Sequence, residues 1–133
     1  MSPILSVLPS FLLDFTVAIA LSVLYIAVYT LATAHNEFAL IRRNVPAASV
    51  SLGFSLVGFA IPLSSAMIFS ETFIDLALWG LVALVVQIVV YGLVRLAIPD
   101  LSPRIARGEI APALFLGAAS VAAGLVNASA MRF

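Results

Sequence analysis

Six polar side chains interrupt two strongly apolar stretches of the chain, and they could bind an ion or a small polar solute. They form the polar lane: Tyr25, Tyr29 and Thr33 in the first stretch, and Gln87, Tyr91 and Arg95 in the second. Side chains four residues apart lie on one face of an α-helix, so each triplet is predicted to line one face. One interpretation is a polar site or pathway. The other, which we favour, is that these groups hydrogen-bond between helices or belong to an interfacial belt of tyrosines.

A second group of polar residues follows the first apolar stretch. It comprises His35, Asn36, Glu37, Arg42 and Arg43. A histidine beside a carboxylate could sense pH, because the imidazole titrates near neutrality. We favour the alternative that the group is an interfacial cap with its charges in headgroup water, where each arginine gains about 1 kcal/mol from anionic lipid. One histidine is too few for a metal site, so no metal is expected.

Small residues recur at helical spacing in two further stretches, which predicts close helix packing. The candidates for helix packing are Gly53, Gly58, Pro62, Gly117, Gly124 and Asn127. Pro62 is expected to kink its helix and to free the Gly58 carbonyl. The first stripe consists of Ser51, Ser55, Gly58, Pro62 and Ser65, and the second of Ala113, Gly117, Ser120, Gly124 and Asn127. The two stripes do not coincide when the halves of the chain are aligned, so the first is predicted to present an additional small face to another subunit. A broken helix that lines a transport site is the alternative.

The elements that must position these residues are membrane helices. Hydrophobic residues make up 64% of the 133-residue chain and charged residues 9%, whereas soluble domains are about 25% charged. Lipid is therefore the expected solvent for most of the surface. An all-α membrane domain is predicted over residues 1–133, with four transmembrane helices at 10–33, 47–69, 75–98 and 110–131 and a surface segment at 1–9. The first hydrophobic segment is too long for a cleavable signal peptide and should be retained.

The arginines predict the orientation of these helices. Arg42 and Arg43 lie in the first link, Arg104 and Arg107 lie in the third, and the second link has none. Positively charged links stay on the cytoplasmic side, so the first and third links are predicted to face the cytoplasm. Both termini are then periplasmic, against which only Arg132 argues.

The chain also shows an internal repeat. Placing residues 41–67 over residues 105–131, an offset of 64, matches an arginine of each basic link and the Ser-Ala-Met ending of each second helix. Two parallel two-helix repeats are therefore predicted, at about 10–69 and about 75–131, related by an axis along the membrane normal. Chance matching between apolar helices is the alternative.

Several motifs resemble the YjfL family of small bacterial inner-membrane proteins. They are Thr33-Ala34-His35-Asn36-Glu37, Pro62-Leu63-Ser64-Ser65-Ala66, Trp79-Gly80-Leu81-Val82-Ala83-Leu84-Val85-Val86-Gln87 and Asn127-Ala128-Ser129-Ala130-Met131. The family often has cysteine where this chain has Ser129. The resemblance implies an inner-membrane location, four helices and a tandem two-helix repeat, and it supplies no reaction. Family members are associated with genes for phage-shock-type membrane stress proteins and ATP-grasp ligases, which points to envelope stress.

Composition and motifs also limit the function classes. The sequence has no glycine-rich phosphate loop, no second histidine and no cysteine, so neither an enzyme nor a bound cofactor is expected. The formal net charge is zero and no basic patch is present, which argues against nucleic-acid binding.

Three functions stay open. We favour a non-enzymatic inner-membrane protein that assembles as a homo-oligomer and acts as a scaffold or binds membrane-stress proteins. The second is a small channel or transporter with the polar lane as its path. The third is a lipid-binding protein that acts through Arg42, Arg43, Arg104 and Arg107. A lane that pairs internally and stays dry would remove the basis of the transport hypothesis.

Overall fold

The computed structural model describes residues 3–133, all of whose regular structure is helical. The helices are α1 (Pro3–Ala32), α2 (Glu37–Arg42), α3 (Pro46–Phe69), α4 (Phe73–Ala97), α5 (Leu101–Ala106) and α6 (Ile110–Ala130). The four long helices α1, α3, α4 and α6 are each long and apolar enough to cross a bilayer. The predicted all-α fold with four membrane-spanning helices is confirmed.

The first helix begins earlier than its predicted start at residue 10. It runs from Pro3 through Pro9 without a break, so residues 3–9 belong to this helix and do not precede it. Residues 1 and 2 lie outside the described part of the chain. Pro9 lies inside the helix. It costs one hydrogen bond, because it has no N–H to donate to the carbonyl four residues back. The resulting helix is about 45 Å long, and its first buried residue is Ala18.

Two short helices occupy links that the sequence analysis treats as loops. Both α2 and α5 have 6 residues. The second residue after each helix has a positive φ, 64° at Asn44 and 89° at Gly108. In each link the N–H of that residue donates to the carbonyl three positions back, at 2.9 Å, and the next N–H, of Val45 or Glu109, donates to the carbonyl five positions back, at 3.0 Å. These bonds satisfy the last carbonyls of each short helix.

The bundle has two distinct ends. Its connector end carries α2 and α5, and its terminal end carries the start of α1, the link between α3 and α4, and the end of α6. The buried core at the terminal end is mostly apolar and includes Ala18, Leu21, Leu63, Ala66 and Leu76. Ser70 Oγ and Asn127 Nδ2 are also buried at this end, without a hydrogen-bond partner in the described residues. Most of the buried polar side chains nevertheless lie in the half nearer the connector end.

The most extensive helix contact joins α3 to α6. At their crossing, a Cβ atom on Gly124 would overlap the Gly58 carbonyl, and a Cβ on Gly58 would overlap the Ser120 carbonyl. Pro62 lies inside α3 and is buried, and it has no N–H to donate to the Gly58 carbonyl. That freed carbonyl lies directly against Gly124. The two backbones therefore approach as closely as only glycine allows.

Other candidates for helix packing divide between the core and the surface. Gly117 is buried against Phe54, whereas Gly53 is exposed and has no atom within 4 Å of the place its Cβ would take. Gly53 therefore makes no close helix contact within the described chain, because it lies about 140° around α3 from Gly58. Asn127 is half-buried, and its Nδ2 atom has no hydrogen-bond partner in the described residues.

The additional small face predicted for α3 does not face outwards. Ser51, Ser55 and Gly58 are all buried within the single chain. Ser55 faces α1, and Gly58 faces α6. The prediction that this face meets another subunit is therefore wrong, because α3 uses two sides at once to hold its neighbours.

Candidate functional site

The connector end contains a buried cluster of polar side chains. This connector cluster comprises Tyr29, Thr33, His35, Glu37, Tyr91 and Ser102. Glu37, the first residue of α2, is 0% exposed. Its Oε1 atom accepts a hydrogen bond from the Thr33 hydroxyl and lies 3.3 Å from Nε2 of His35, whose side chain is 4% exposed. The Glu37 carboxyl and the His35 imidazole are thus buried side by side, next to a cavity of about 390 Å³ that both residues line.

This arrangement corrects the interfacial-cap prediction for two of its five residues. Glu37 and the His35 side chain do not lie in headgroup water, because α2 folds back over the end of the bundle and covers them. Asn36 is partly exposed and accepts a hydrogen bond from the Ala39 N–H at 3.1 Å, which caps α2. Arg42 and Arg43 are exposed, and neither forms an ion pair within residues 3–133.

Burial acts on the two titratable groups in opposite directions. Removal from water raises the pKa of the Glu37 carboxyl and lowers the pKa of the His35 imidazole, because each charged form loses hydration. The hydrogen bond from Thr33 opposes the first shift without reversing it. Both shifts favour the uncharged forms, a protonated Glu37 carboxyl and a neutral His35 imidazole.

A hydroxyl of α5 joins the other side of the connector cluster. Tyr91 on α4 and Ser102 on α5 share a hydrogen bond of 3.0 Å between their hydroxyl oxygens, and the Ser102 oxygen also accepts from the Ala34 N–H at 3.4 Å. The Tyr91 ring meets the Tyr29 ring edge-on, with centroids 5.7 Å apart. Ser102 therefore fastens the link after α1 to α4.

Two further polar contacts lie deeper in the bundle. The Tyr25 and Ser55 hydroxyls are 2.7 Å apart, and the Tyr25 ring stacks on Phe59 with centroids 4.5 Å apart. Gln87 donates from Nε2 to the Ser120 carbonyl at 3.0 Å. An amide in hydrocarbon must find such a partner, and Gln87 finds it on the backbone of α6.

All but one of the six residues of the polar lane are buried. Tyr25, Tyr29, Thr33, Gln87 and Tyr91 are buried, but Arg95 is exposed, so its inclusion in the lane is wrong. Eight residues of helix rotate a side chain by about 80°, which carries Arg95 off the face of Gln87 and lets its charged end reach water.

The partners of the lane are the residues that sequence reasoning missed. They are Ser55, Ser102 and the Ser120 carbonyl. Ser55 belongs to a small-residue stripe, a pattern that predicts helix packing and not a hydrogen bond to Tyr25. Ser102 lies in a link without helical periodicity, so no pattern in the sequence indicates its role.

The basic residues of the two links differ in their surroundings. Arg104 Nε and Arg107 Nη2 contact the two carboxylate oxygens of Glu109 at 3.0 and 2.9 Å. These hydrogen bonds lower the pKa of Glu109. The third link is therefore largely neutralised, whereas the first link keeps two arginines without carboxylate partners. Across residues 3–133, no group of three or more His, Asp or Glu side chains could hold a metal ion.

Comparison with known proteins adds the family. The family model described as Domain of Unknown Function (DUF350) matches residues 3–131. This chain belongs to the DUF350 family. It is similar to the UPF0719 inner membrane protein YjfL of Escherichia coli strain K12 and of Escherichia coli O157:H7, with 39% identity over 130 residues in each case, which cover 98% of this chain and 98% of each relative. No solved structure matches the chain.

These findings confirm the resemblance to the YjfL family. Together with the four candidate membrane spans, they identify this member of the DUF350 family as a multi-pass protein of the bacterial inner membrane. The lipid-facing positions are accordingly apolar and include Phe11, Leu31, Val85 and Leu96. The bilayer rather than water is the solvent for the long helices, so the connector cluster lies where they emerge from it.

Proposed function

We propose that this protein is a non-enzymatic scaffold of the inner membrane that acts through contacts with other membrane proteins. The observation that carries the proposal is the way the polar lane is used. Tyr25, Gln87 and Tyr91 each bond to a neighbouring helix, and the core beyond them at the terminal end is mostly apolar. Polar groups paired in this way hold the helices of the bundle together.

The scaffold is proposed to work as a homo-oligomer through the outer face of α6. Ala118 and Ala122 are exposed there, four residues apart. They line a groove of about 330 Å³ together with Phe54, Leu114, Val121 and Leu125. Small residues at this spacing let a second helix approach closely in lipid. The exposed Gly53 extends the small surface onto α3, and a second copy of the chain is the proposed occupant.

The double variant Ala118→Leu, Ala122→Leu tests the oligomer. Filling the groove should weaken self-association by about tenfold or more, which corresponds to about 1.4 kcal/mol. The measurement is the subunit number, by native mass spectrometry and by light scattering in nanodiscs at several protein concentrations. The matched control is Val85→Leu, Val89→Leu, which adds bulk at the same spacing on an exposed face of α4. A monomeric parent protein, or equal association in both variants, would contradict the proposed interface.

The proposed architecture consists of two parallel repeats with periplasmic termini. Its support is the order of elements, in which each half has a long, a short and a long helix. The short helices end in the same backbone bonds at positions 64 apart, and the equivalent long helices α1 and α4, and α3 and α6, pack on each other. Arg42, Arg43, Arg95, Arg104 and Arg107 all belong to the connector end, which supports a cytoplasmic position for that end.

The proposed partners are membrane lipids and proteins of the envelope-stress response. Arg42 and Arg43 have no carboxylate partner in the described residues and would meet anionic headgroups. Arg104 and Arg107 are occupied by Glu109, so a lipid contact through all four arginines has less support. The link to stress rests on the resemblance to the YjfL family alone.

A small proton or ion channel is the second candidate, and one observation favours it. Within residues 3–133, the Tyr29 hydroxyl and Gln87 Oε1 are buried without hydrogen-bond partners. Such atoms are the ones that water in a conduction path would contact. The mostly apolar core at the terminal end argues against it, because a path through the lane would end at Leu21, Leu63 and Leu76.

A further inference from the structure

Burial of the Glu37 carboxyl is electrostatically unfavourable, and the proposed scaffold function does not account for it. The Glu37 side chain is fully buried, and its Oε2 atom has no hydrogen-bond partner within residues 3–133. An ionised carboxylate in such a place loses its hydration and is stable only beside a cation. The nearest candidate is His35, whose Nε2 atom is 3.3 Å from Oε1 but whose geometry makes no hydrogen bond.

The charged groups around Glu37 do not supply that cation. Just after α1, Thr33 donates a hydrogen bond to Glu37, and the Tyr29 ring, one turn earlier on α1, contacts the Tyr91 ring of α4. Helix α3, on which α2 rests, has no ionisable side chain. The exposed arginines are Arg42 and Arg43 on the α2 side and Arg95 on α4, while Arg104 and Arg107 of the α5 link bind Glu109.

The donor atoms at the site fit a proton better than a metal ion. Calcium takes six to eight oxygen ligands and magnesium about six. The connector cluster offers the two oxygens of Glu37 and the hydroxyls of Thr33 and Tyr29, and the Thr33 hydroxyl already donates to Oε1. A proton needs a single oxygen lone pair, and the free Oε2 atom provides one.

The position of Glu37 couples this proton to the short helix. The only buried residues of α2 are Glu37 and Leu40, so few other side chains hold α2 against the bundle. We propose that Glu37 is a proton-binding site whose proton holds α2 against the bundle, and that loss of the proton releases α2 together with Arg42 and Arg43. The site would let the inner surface of the protein respond to pH.

The direction of the pH effect follows from burial. Because burial raises the pKa of Glu37, its contribution to the closed state is complete below the unfolded pKa and is lost as the pH rises through the pKa of the buried carboxyl. Because burial lowers the pKa of His35, charging of that imidazole opposes closure as the pH falls below its unfolded pKa. Closure is therefore weakened at high pH by ionisation of Glu37 and at low pH by charging of His35.

A single-cysteine experiment tests the release, since the chain has no cysteine of its own. Leu40→Cys places a thiol on the buried side of α2, and Arg43→Cys places a reference thiol on its exposed end. Each protein is reconstituted in nanodiscs and labelled with a water-soluble maleimide as the pH is raised. The ratio of the two labelling rates cancels the titration of the thiols. It should rise with pH by up to about tenfold per pH unit between the pKa of Glu37 in the released state and its higher pKa in the closed state, and level off above the latter.

Glu37→Gln is the matched variant, because glutamine has the shape of the protonated acid and cannot ionise. Its ratio should stay low and independent of pH. A flat ratio in the parent, or the same rise in Glu37→Gln, would overturn the proposal. Infrared spectra of the chain without any cysteine give an independent reading. A protonated-carboxyl band that Glu37→Gln lacks, and that disappears at high pH, is expected, and its absence at neutral pH would overturn the proton site.

Discussion

Adding one methyl group at Gly124 should destabilise the folded protein by about 3 kcal/mol, the upper part of the range for overpacking. The reason is that a Cβ at this position would overlap the Gly58 carbonyl, and a Cβ at Gly58 would overlap the Ser120 carbonyl. These obstacles are backbone atoms, which cannot rotate away as a side chain can. Gly124→Ala and Gly58→Ala should therefore push α3 and α6 apart along their whole contact.

The chain provides a control on the same helix. Gly53→Ala places the same methyl group where nothing lies within 4 Å, so its effect should stay within about 0.5 kcal/mol. Stability is measured by reversible unfolding in mixed micelles or by steric trapping in bicelles. Equal stability of Gly124→Ala and Gly53→Ala would contradict the close crossing of α3 and α6.

The second large effect is expected at Tyr29, where two variants separate the contribution of the ring from that of the hydroxyl. Tyr29 is buried between Tyr25 and Tyr91, so Tyr29→Ala should cost about 3–5 kcal/mol through the cavity it leaves. Its hydroxyl has no partner in the described residues. Tyr29→Phe removes a buried hydroxyl without a partner, so it should leave stability unchanged or raise it by about 1 kcal/mol.

Tyr25→Phe is the comparison for that result. It removes a hydroxyl that is bonded to Ser55 at 2.7 Å, and it should cost about 1 kcal/mol. The same unfolding measurement compares the three variants with the parent protein. A cost for Tyr29→Phe as large as that for Tyr25→Phe would mean that the Tyr29 hydroxyl has a partner such as water, which would favour a hydrated lane.

The sequence predicts the four long helices well, because their length and apolar composition are direct consequences of a bilayer about 30 Å thick. It also predicts which face of α1 is polar, because residues four apart share a face whatever the fold. The links are harder. Helices α2 and α5 have 6 residues each, too few for helical periodicity to emerge from the pattern.

The burial of Glu37 shows why the site is only partly predictable. A glutamate just after a membrane helix has the composition of an interfacial loop, and headgroup water is the ordinary place for it. Its burial depends on α2 packing against α3, which is a tertiary event. Ser102 belongs to the cluster although it lies 68 positions beyond Ala34, whose N–H donates to it. No local sequence pattern encodes a contact between residues so far apart in the chain.

Proton and ion flux through liposomes that contain the purified protein tests the central claim, that the polar lane holds the bundle together and does not conduct. The protein is compared with empty liposomes and with the variant Gln87→Leu, Tyr91→Phe at the same subunit number, across pH and voltage. The account predicts that flux in both protein samples equals that of the empty liposomes. Flux through the parent that the double variant abolishes would contradict it and would identify the lane as a conduction path.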